Sequence, residues 1–410
     1  MLQVRINLFG DTRGEQKMKD NICIGMAGAG RATELHMLAL DQYSGIPVRR
    51  KTIMARRKEP LEQACKRYRF EQITMDFNEM IRDPEIDLID ICTPAYVHVP
   101  MIRAALDAGK HVICEKSLTG YFGQENDPAP IGTHVSKQVM YEKVLEDIDS
   151  LAKVVQKANT QFMYAENFIY APAIWKAADI IAKKKSRILF AKGEESLKGS
   201  SSPVAGQWNK TGGGTFIRTG THPLSAILWL KEQEAKAQGK EIRVVSVLAD
   251  MGRILPQLTE YEHRHIAARP MDVEDCGTVI LTFSDSTRAV IMATDTLLGG
   301  SRNYVELYCN DAVIHCKLTM NDMMETYFLD EERLDEVEIS EMLPSKLGWN
   351  RPFLADEFVR GYCNEMKDFI ECAYYNRKPM SDFKVAYDSV KITYAAYLSA
   401  ERGAKVELPS

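Results

Sequence analysis

The chain has 410 residues, 45% hydrophobic and 27% charged, with 52 basic against 57 acidic side chains and a net charge of −5. That length allows two or three domains with sizeable cores, and the apolar content excludes a disordered chain. No apolar run approaches the ~18 residues of a membrane span, Met1 to Asp20 lack the apolar stretch of a secretory signal, and mild acidity argues against a nucleic-acid partner.

From Asn21 to about Ala165 short apolar runs alternate with amphipathic stretches. The runs are Ile22 to Ile24, Thr52 to Ala55, Ile86 to Cys92, His111 to Cys114 and Phe162 to Tyr164. Helix-like segments such as Met101 to Ala108 and Val139 to Lys157 lie between them. This alternation predicts a doubly wound α/β domain over residues 19–165, a parallel sheet with helices on both faces. Gly120 to Gln138, with three glycines and two prolines, lacks periodicity and reads as an inserted loop that lids a site or reaches a neighbouring subunit. Over residues 166–410 the pattern changes. Strand-like stretches Ile188–Glu194, Arg243–Ala249, Gly277–Phe283, Ala289–Thr294, Tyr304–Cys309 and Ala312–Leu318 follow one another, several separated by turn signals. They predict an open, mostly antiparallel sheet, and helices Leu354–Tyr375 and Lys384–Arg402 close the chain. Nine cysteines are scattered without a Cys-x-x-Cys pair. Neither a metal site nor a redox dithiol is expected, and a reducing cytoplasm fits best.

The first apolar strand runs into Gly25-Met26-Ala27-Gly28-Ala29-Gly30-Arg31-Ala32-Thr33, followed by a helix-like segment. Glycines at a strand-to-helix turn let phosphate oxygens approach bare backbone, and the helix N-terminus supplies free N–H groups. Gly28, Gly30, Arg31 and Ala32 are therefore the expected dinucleotide contacts. Thr33 occupies the third glycine position and implies looser helix–strand packing. The second strand should end near Ala55, where an acidic residue would hold the ribose 2′-hydroxyl of NAD. The sequence there is Arg56-Arg57-Lys58, a cation cluster suited to a 2′-phosphate. The cofactor is expected to be NAD(P), with a lean to NADP.

In chain order, the glycine loop with His36 beyond it, Thr93-Pro94 with His98, Gly109-Lys110-His111-Val112, Glu115-Lys116, Gly212-Gly213-Gly214, Gly220-x-His222 and Val273-Glu274-Asp275 resemble the Gfo/Idh/MocA oxidoreductases. The resemblance spans about residues 20–408. It implies a Rossmann domain, a C-terminal α/β substrate-binding domain, dimers or tetramers, and redox chemistry on sugars and cyclitols. It also places Thr93, His98, Glu115 and Lys116 at the cofactor, with His98 and His111 as packing residues. Three features depart from the family pattern. Glu-Lys-Pro is Glu115-Lys116-Ser117, residues 121–138 have no counterpart, and the aspartate expected four residues before the histidine is Arg218.

Oxidising a secondary alcohol requires a hydride acceptor, a base for the hydroxyl proton and positive charge for the developing alkoxide. Lys116, at the carboxyl end of a parallel strand, projects into the crevice where doubly wound folds bind ligands. The resemblance assigns it the alkoxide. His222 is the expected base, because a free imidazole titrates at about pH 6.5 and exchanges its proton under working conditions. Arg218 cannot relay a proton, so it binds an anionic substrate group or pairs with an acid, and Glu166 is the candidate. A charge-paired Arg218–Glu166 wall is expected, with Asn167 and Tyr170 donating to substrate hydroxyls. The stretch Met163 to Asn167 also resembles the NAD-dependent glycosidase branch of the family, so redox-assisted glycoside cleavage is one alternative and a nucleotide-sensing regulator is another.

Overall fold

The computed structural model describes residues 19–319, 324, 326–330, 332, 347–350 and 356–409. The signal-sequence reading of residues 1–18 and the start of the helix expected at Leu354 lie outside these.

The first half alternates β1 (Ile22–Ala27), α1 (Arg31–Asp41), β2 (Val48–Met54), α2 (Lys58–Tyr68), β3 (Gln72–Thr74), α3 (Phe77–Arg82), β4 (Leu88–Ile91), α4 (His98–Asp107), β5 (His111–Glu115), α5 (Ile131–His134), α6 (Lys137–Lys157) and β6 (Phe162–Ala165). The six strands form one parallel sheet in the order β3-β2-β1-β4-β5-β6. Every residue of β1 and of β4 is buried, as expected of strands covered on both faces. Side chains start several helices: Asp76 accepts from Asn78 N–H at 2.8 Å before α3, and Ser136 from Gln138 N–H at 3.1 Å before α6. The sheet order changes direction at β1/β4, so the loops after β1, β4, β5 and β6 open on one edge, where such folds take ligands.

The second half runs through α7 (Asn167–Tyr170), α8 (Pro172–Lys184), β7 (Ile188–Ser196), α9 (Trp208–Thr211), α10 (Thr221–Gln238), β8 (Val244–Gly252), α11 (Glu260–His263), β9 (Cys276–Phe283), β10 (Arg288–Thr294), β11 (Arg302–Cys309), β12 (Val313–Lys317), β13 (Thr326–Phe328), β14 (Gly348–Asn350), α12 (Asp356–Val359), α13 (Tyr362–Tyr375), α14 (Phe383–Arg402) and β15 (Val406–Glu407). A seven-stranded sheet has the order β12-β11-β7-β10-β9-β8-β15. Only β7 and β10 pair in parallel, so the expected open, mostly antiparallel sheet is present. Helix α10 packs on one face beside α14. Helix α13 returns to the first half and packs on α1 and β1.

The closing helix expected over 354–375 is interrupted. Gly361 has φ +99°, and a Cβ there would lie 2.3 Å from the Asn167 carbonyl oxygen. The stretch expected as an inserted loop is strapped to the second half. Tyr121 N–H donates to the Tyr394 hydroxyl, Gly132 N–H to Asp272 Oδ2 at 3.0 Å, and Lys137 N–H to the Glu401 carboxylate at 3.0 Å.

Candidate active site

The glycine turn leaves β1 with Gly28 at φ +125°, where a Cβ would meet the Cys92 carbonyl oxygen at 2.5 Å. Only glycine fits this crossing of the β1 and β4 loops. At Gly30 a Cβ would meet nothing within 4 Å. Open space therefore lies over the first turn of α1, whose N–H groups, from Arg31 and Ala32 onward, the helix itself cannot satisfy. This arrangement fits the pyrophosphate of a dinucleotide. Arg56 and Arg57 are exposed just beyond β2, and among the described residues neither is ion-paired. Thr33 is fully buried.

Below the loop His36 is buried between two carboxylates. Nδ1 lies 2.9 Å from Asp90 Oδ2 and Nε2 3.2 Å from Glu115 Oε1. Burial opposes the charged ring, but Asp90 and Cys92 beside it raise its pKa well above the usual imidazole range. One atom each from His36, Asp90 and Cys92 lie within 4.8 Å of one another. The hydrogen bonds among these three side chains account for that cluster. Glu115 Oε2 accepts from the Lys116 backbone N–H at 2.9 Å. Buried His98 bridges two loops, with Nε2 at 2.8 Å from the Thr93 carbonyl and Nδ1 at 2.9 Å from that of Ser117. His98 thus packs the loop after β4 against the loop after β5. His111 is not: it starts β5 at the opposite edge, and its Nδ1 accepts from Gln161 N–H at 3.0 Å.

Lys116 follows β5, and its peptide bond to Ser117 is cis. Ser117 Oγ donates to the Ile217 carbonyl at 2.9 Å, and Lys116 Nζ donates to the Arg218 carbonyl. Both bonds tie the Rossmann edge to the π-helical turn Phe216–Gly220, which runs straight into α10. Glu274 fixes the glycine segment before that turn, accepting from Gly214 N–H at 2.7 Å, Phe216 N–H at 2.9 Å and the Tyr397 hydroxyl at 2.8 Å. His222 is therefore the second residue of an 18-residue helix, one turn beyond the carbonyl that receives Lys116.

His222 is buried, stacked on Phe168 with ring centroids 4.9 Å apart. Its Nδ1 lies 2.5 Å from Glu166 Oε1. Burial lowers the imidazole pKa and raises that of the Glu166 carboxyl, so the ring is neutral in the resting site. Burial also lowers the Lys116 ammonium, against the attraction of Glu115, Glu195 and Glu166.

Three expectations for substrate contacts are corrected. Glu166 does not wall the site with Arg218. It bonds His222, while the Arg218 guanidinium pairs with buried Asp295, which also accepts from Thr215 Oγ at 3.1 Å. Tyr170 is fully buried, and its hydroxyl donates to Asp368 Oδ2 at 2.8 Å and accepts from Ser381 N–H at 3.0 Å. Asn167 is buried and donates to the Arg360 carbonyl at 2.9 Å. Tyr170 and Asn167 hold the junction, with their donors committed to acceptors of the protein. Sequence reasoning missed Asp295, Glu195 and Arg360. The available signal for Glu195 is its place in β7, where Ala191 and Gly193 face the helices and a glutamate takes the next inward position.

A glycine turn at the switch point of a parallel sheet, with a lysine after β5 of that sheet and a histidine at the start of α10 in the second half meeting at the same edge, defines a two-domain dinucleotide-dependent oxidoreductase architecture. The chain belongs to the Gfo/Idh/MocA oxidoreductase family: the model of its NAD-binding Rossmann fold matches residues 22–124, and that of its C-terminal domain residues 187–315. Levoglucosan dehydrogenase of Pseudarthrobacter phenanthrenivorans is 28% identical over 225 residues, 51% of each chain. The chain thus matches about half the length of that relative. Among solved structures, GenD2 from gentamicin A biosynthesis in complex with NAD superposes with TM-score 0.75 at 20% identity, over 98% of this chain and all of the other. Levoglucosan dehydrogenase in complex with NADH and L-sorbose gives 0.69 at 21% identity, over 96% and 100%. Among the described residues no helix is long and apolar enough to cross a membrane.

Proposed function

We propose that the protein is an NAD(P)-dependent dehydrogenase acting on a ring hydroxyl of a sugar, glycoside or cyclitol. The observation that carries this reading is the convergence of Lys116 and the His222–Glu166 pair at the dinucleotide edge, with Lys116 Nζ on the Arg218 carbonyl one helical turn before His222. A bound nicotinamide dinucleotide would accept the hydride from the carbinol carbon. His222 Nε2 takes the hydroxyl proton, its Nδ1–H held by Glu166, which steadies the imidazolium that forms. The Lys116 ammonium leaves its carbonyl partner to hydrogen-bond the developing alkoxide, and the product is a ketone. The named substrates of the relatives, levoglucosan and inositols, support a polyhydroxylated ring. Exposed Arg56 and Arg57 support NADP over NAD. A Kd for each cofactor tests that preference, and tenfold tighter NAD ends it. Nine free thiols support a reducing compartment such as the cytoplasm, and a homo-oligomer is expected.

The test is turnover against a panel of sugars, uronates, cyclitols and glycosides, followed at the reduced-nicotinamide absorbance band. Reduced cofactor forming with a ring polyol supports the reading. Free aglycone without net reduced cofactor would assign redox-assisted hydrolysis, and tight cofactor binding without any turnover would assign a sensor.

A further inference from the structure

Glu195 lies on the inward face of β7, buried beside the base. Arg360 holds its Oε1 from behind at 3.2 Å. The other oxygen, Oε2, is buried without a hydrogen-bond partner and lies 3.9 Å from His222 Nε2. A buried carboxylate oxygen left without a donor is costly, and here it stands beside the nitrogen that must accept the substrate proton. The gap exceeds a hydrogen bond. In the base-competent state, with Nδ1–H on Glu166, both Nε2 and Oε2 are acceptors. One hydroxyl carries one proton and can donate to only one of them.

We infer that Glu195 is a substrate-binding residue, accepting a hydrogen bond from the hydroxyl next to the one being oxidised, so that the site selects an uncharged vicinal diol on a ring. This rests on the dehydrogenase reading and adds a substrate feature to it. Neighbouring ring hydroxyls offer two protons at a spacing that two acceptors so placed can receive. The charge pattern agrees: Arg218 is matched by Asp295 and Arg360 by Glu195, while Glu166 and Glu115 oppose Lys116. A substrate carboxylate or phosphate would face Glu195 with each guanidinium already paired.

The experiment compares wild type, Glu195→Gln and Glu195→Ala on levoglucosan, myo-inositol and scyllo-inositol and on their analogues deoxygenated beside the oxidised carbon. Binding of the same compounds to the enzyme saturated with reduced cofactor is measured by calorimetry in parallel. Wild type is expected to favour the diol over its deoxy analogue by about 10- to 100-fold in kcat/KM and in Kd. Glu195→Ala should lose a similar factor on the diol and nearly erase the preference. Should alanine leave Arg360 too poorly matched to fold, glutamine carries the test. Its amide oxygen faces Arg360 and its N–H groups face the cleft, so the acceptor becomes a donor and the preference shrinks. A wild type that treats diol and deoxy compound alike, or variants that keep the wild-type ratio, overturns the assignment while the dehydrogenase reading stands. A wild type that neither turns over nor binds any of these rings overturns both.

Discussion

Glu166 supplies His222 with a carboxylate although the position four residues before the histidine is Arg218. The glutamate comes from the end of β6 instead, and burial raises its pKa. The sign follows. A protonated Glu166 carries no negative charge to steady an imidazolium, so oxidation slows as pH falls through the raised pKa, and the acid limb of kcat lies above the ordinary carboxylate range. Glu166→Gln should lower kcat on the order of 10²-fold, with the limb flattened; a variant keeping both rate and limb would remove Glu166 from the mechanism. Lys116→Ala should lower kcat about a hundredfold or more with cofactor Kd retained, since the ammonium acts on charge that develops only in the transition state. Lys116 and His222 were legible because each sits in a short ordered motif. Asp295, Glu195 and Arg360 were not, because each reaches the cleft by long-range contact: Arg218 bonds Asp295 77 positions away, and Arg360 bonds Glu195 165 positions away.

At the level of elements, the alternation of apolar runs and amphipathic stretches carried the Rossmann sheet, since buried parallel strands are apolar throughout. The segment leading to His222 was harder to read. Three glycines, Gly212 to Gly214, carry no helical signal, yet the backbone enters a π-helical turn and then α10, so the ring rides on a helix end. Glu274 makes this possible by binding two backbone N–H groups there. The glycine turn yields a sharper contrast. Gly28→Ala forces a Cβ against the Cys92 carbonyl at positive φ and should destabilise the fold by at least about 1–3 kcal/mol, seen as a lower Tm. Gly30→Ala meets no protein atom, so Tm should hold while the dinucleotide Kd rises about tenfold or more, because the methyl occupies phosphate space. A Gly30→Ala variant that keeps the wild-type dinucleotide Kd would mean that the open volume at Gly30 is not the pyrophosphate site.

For the whole molecule, the seven-stranded sheet has helices α10 and α14 on one side, while its other face turns outward. There Leu248 of β8 stands opposite Ile280 of β9, which stands opposite Val290 of β10. Leu248, Ile280 and Met292 are exposed. A row of large apolar side chains across three adjacent strands is unusual for a monomer, and this face is the one expected to meet a second copy of the chain. Seven strands of two to nine residues, at about 3.3 Å per residue and about 4.8 Å between strands, cover on the order of 800 Å². That is the area one partner contributes to a stable protein–protein interface. His222 starts α10 on the helix-covered face of the sheet, so pairing through the outward face would leave both clefts accessible. Light scattering should therefore find a dimer or tetramer at micromolar concentration. Ile280→Lys with Met292→Lys should give a monomer of unchanged circular dichroism, because two ammonium groups would have to be desolvated against their copies in the partner. A monomeric wild type, or a double variant that keeps its mass, would exclude this face as the interface.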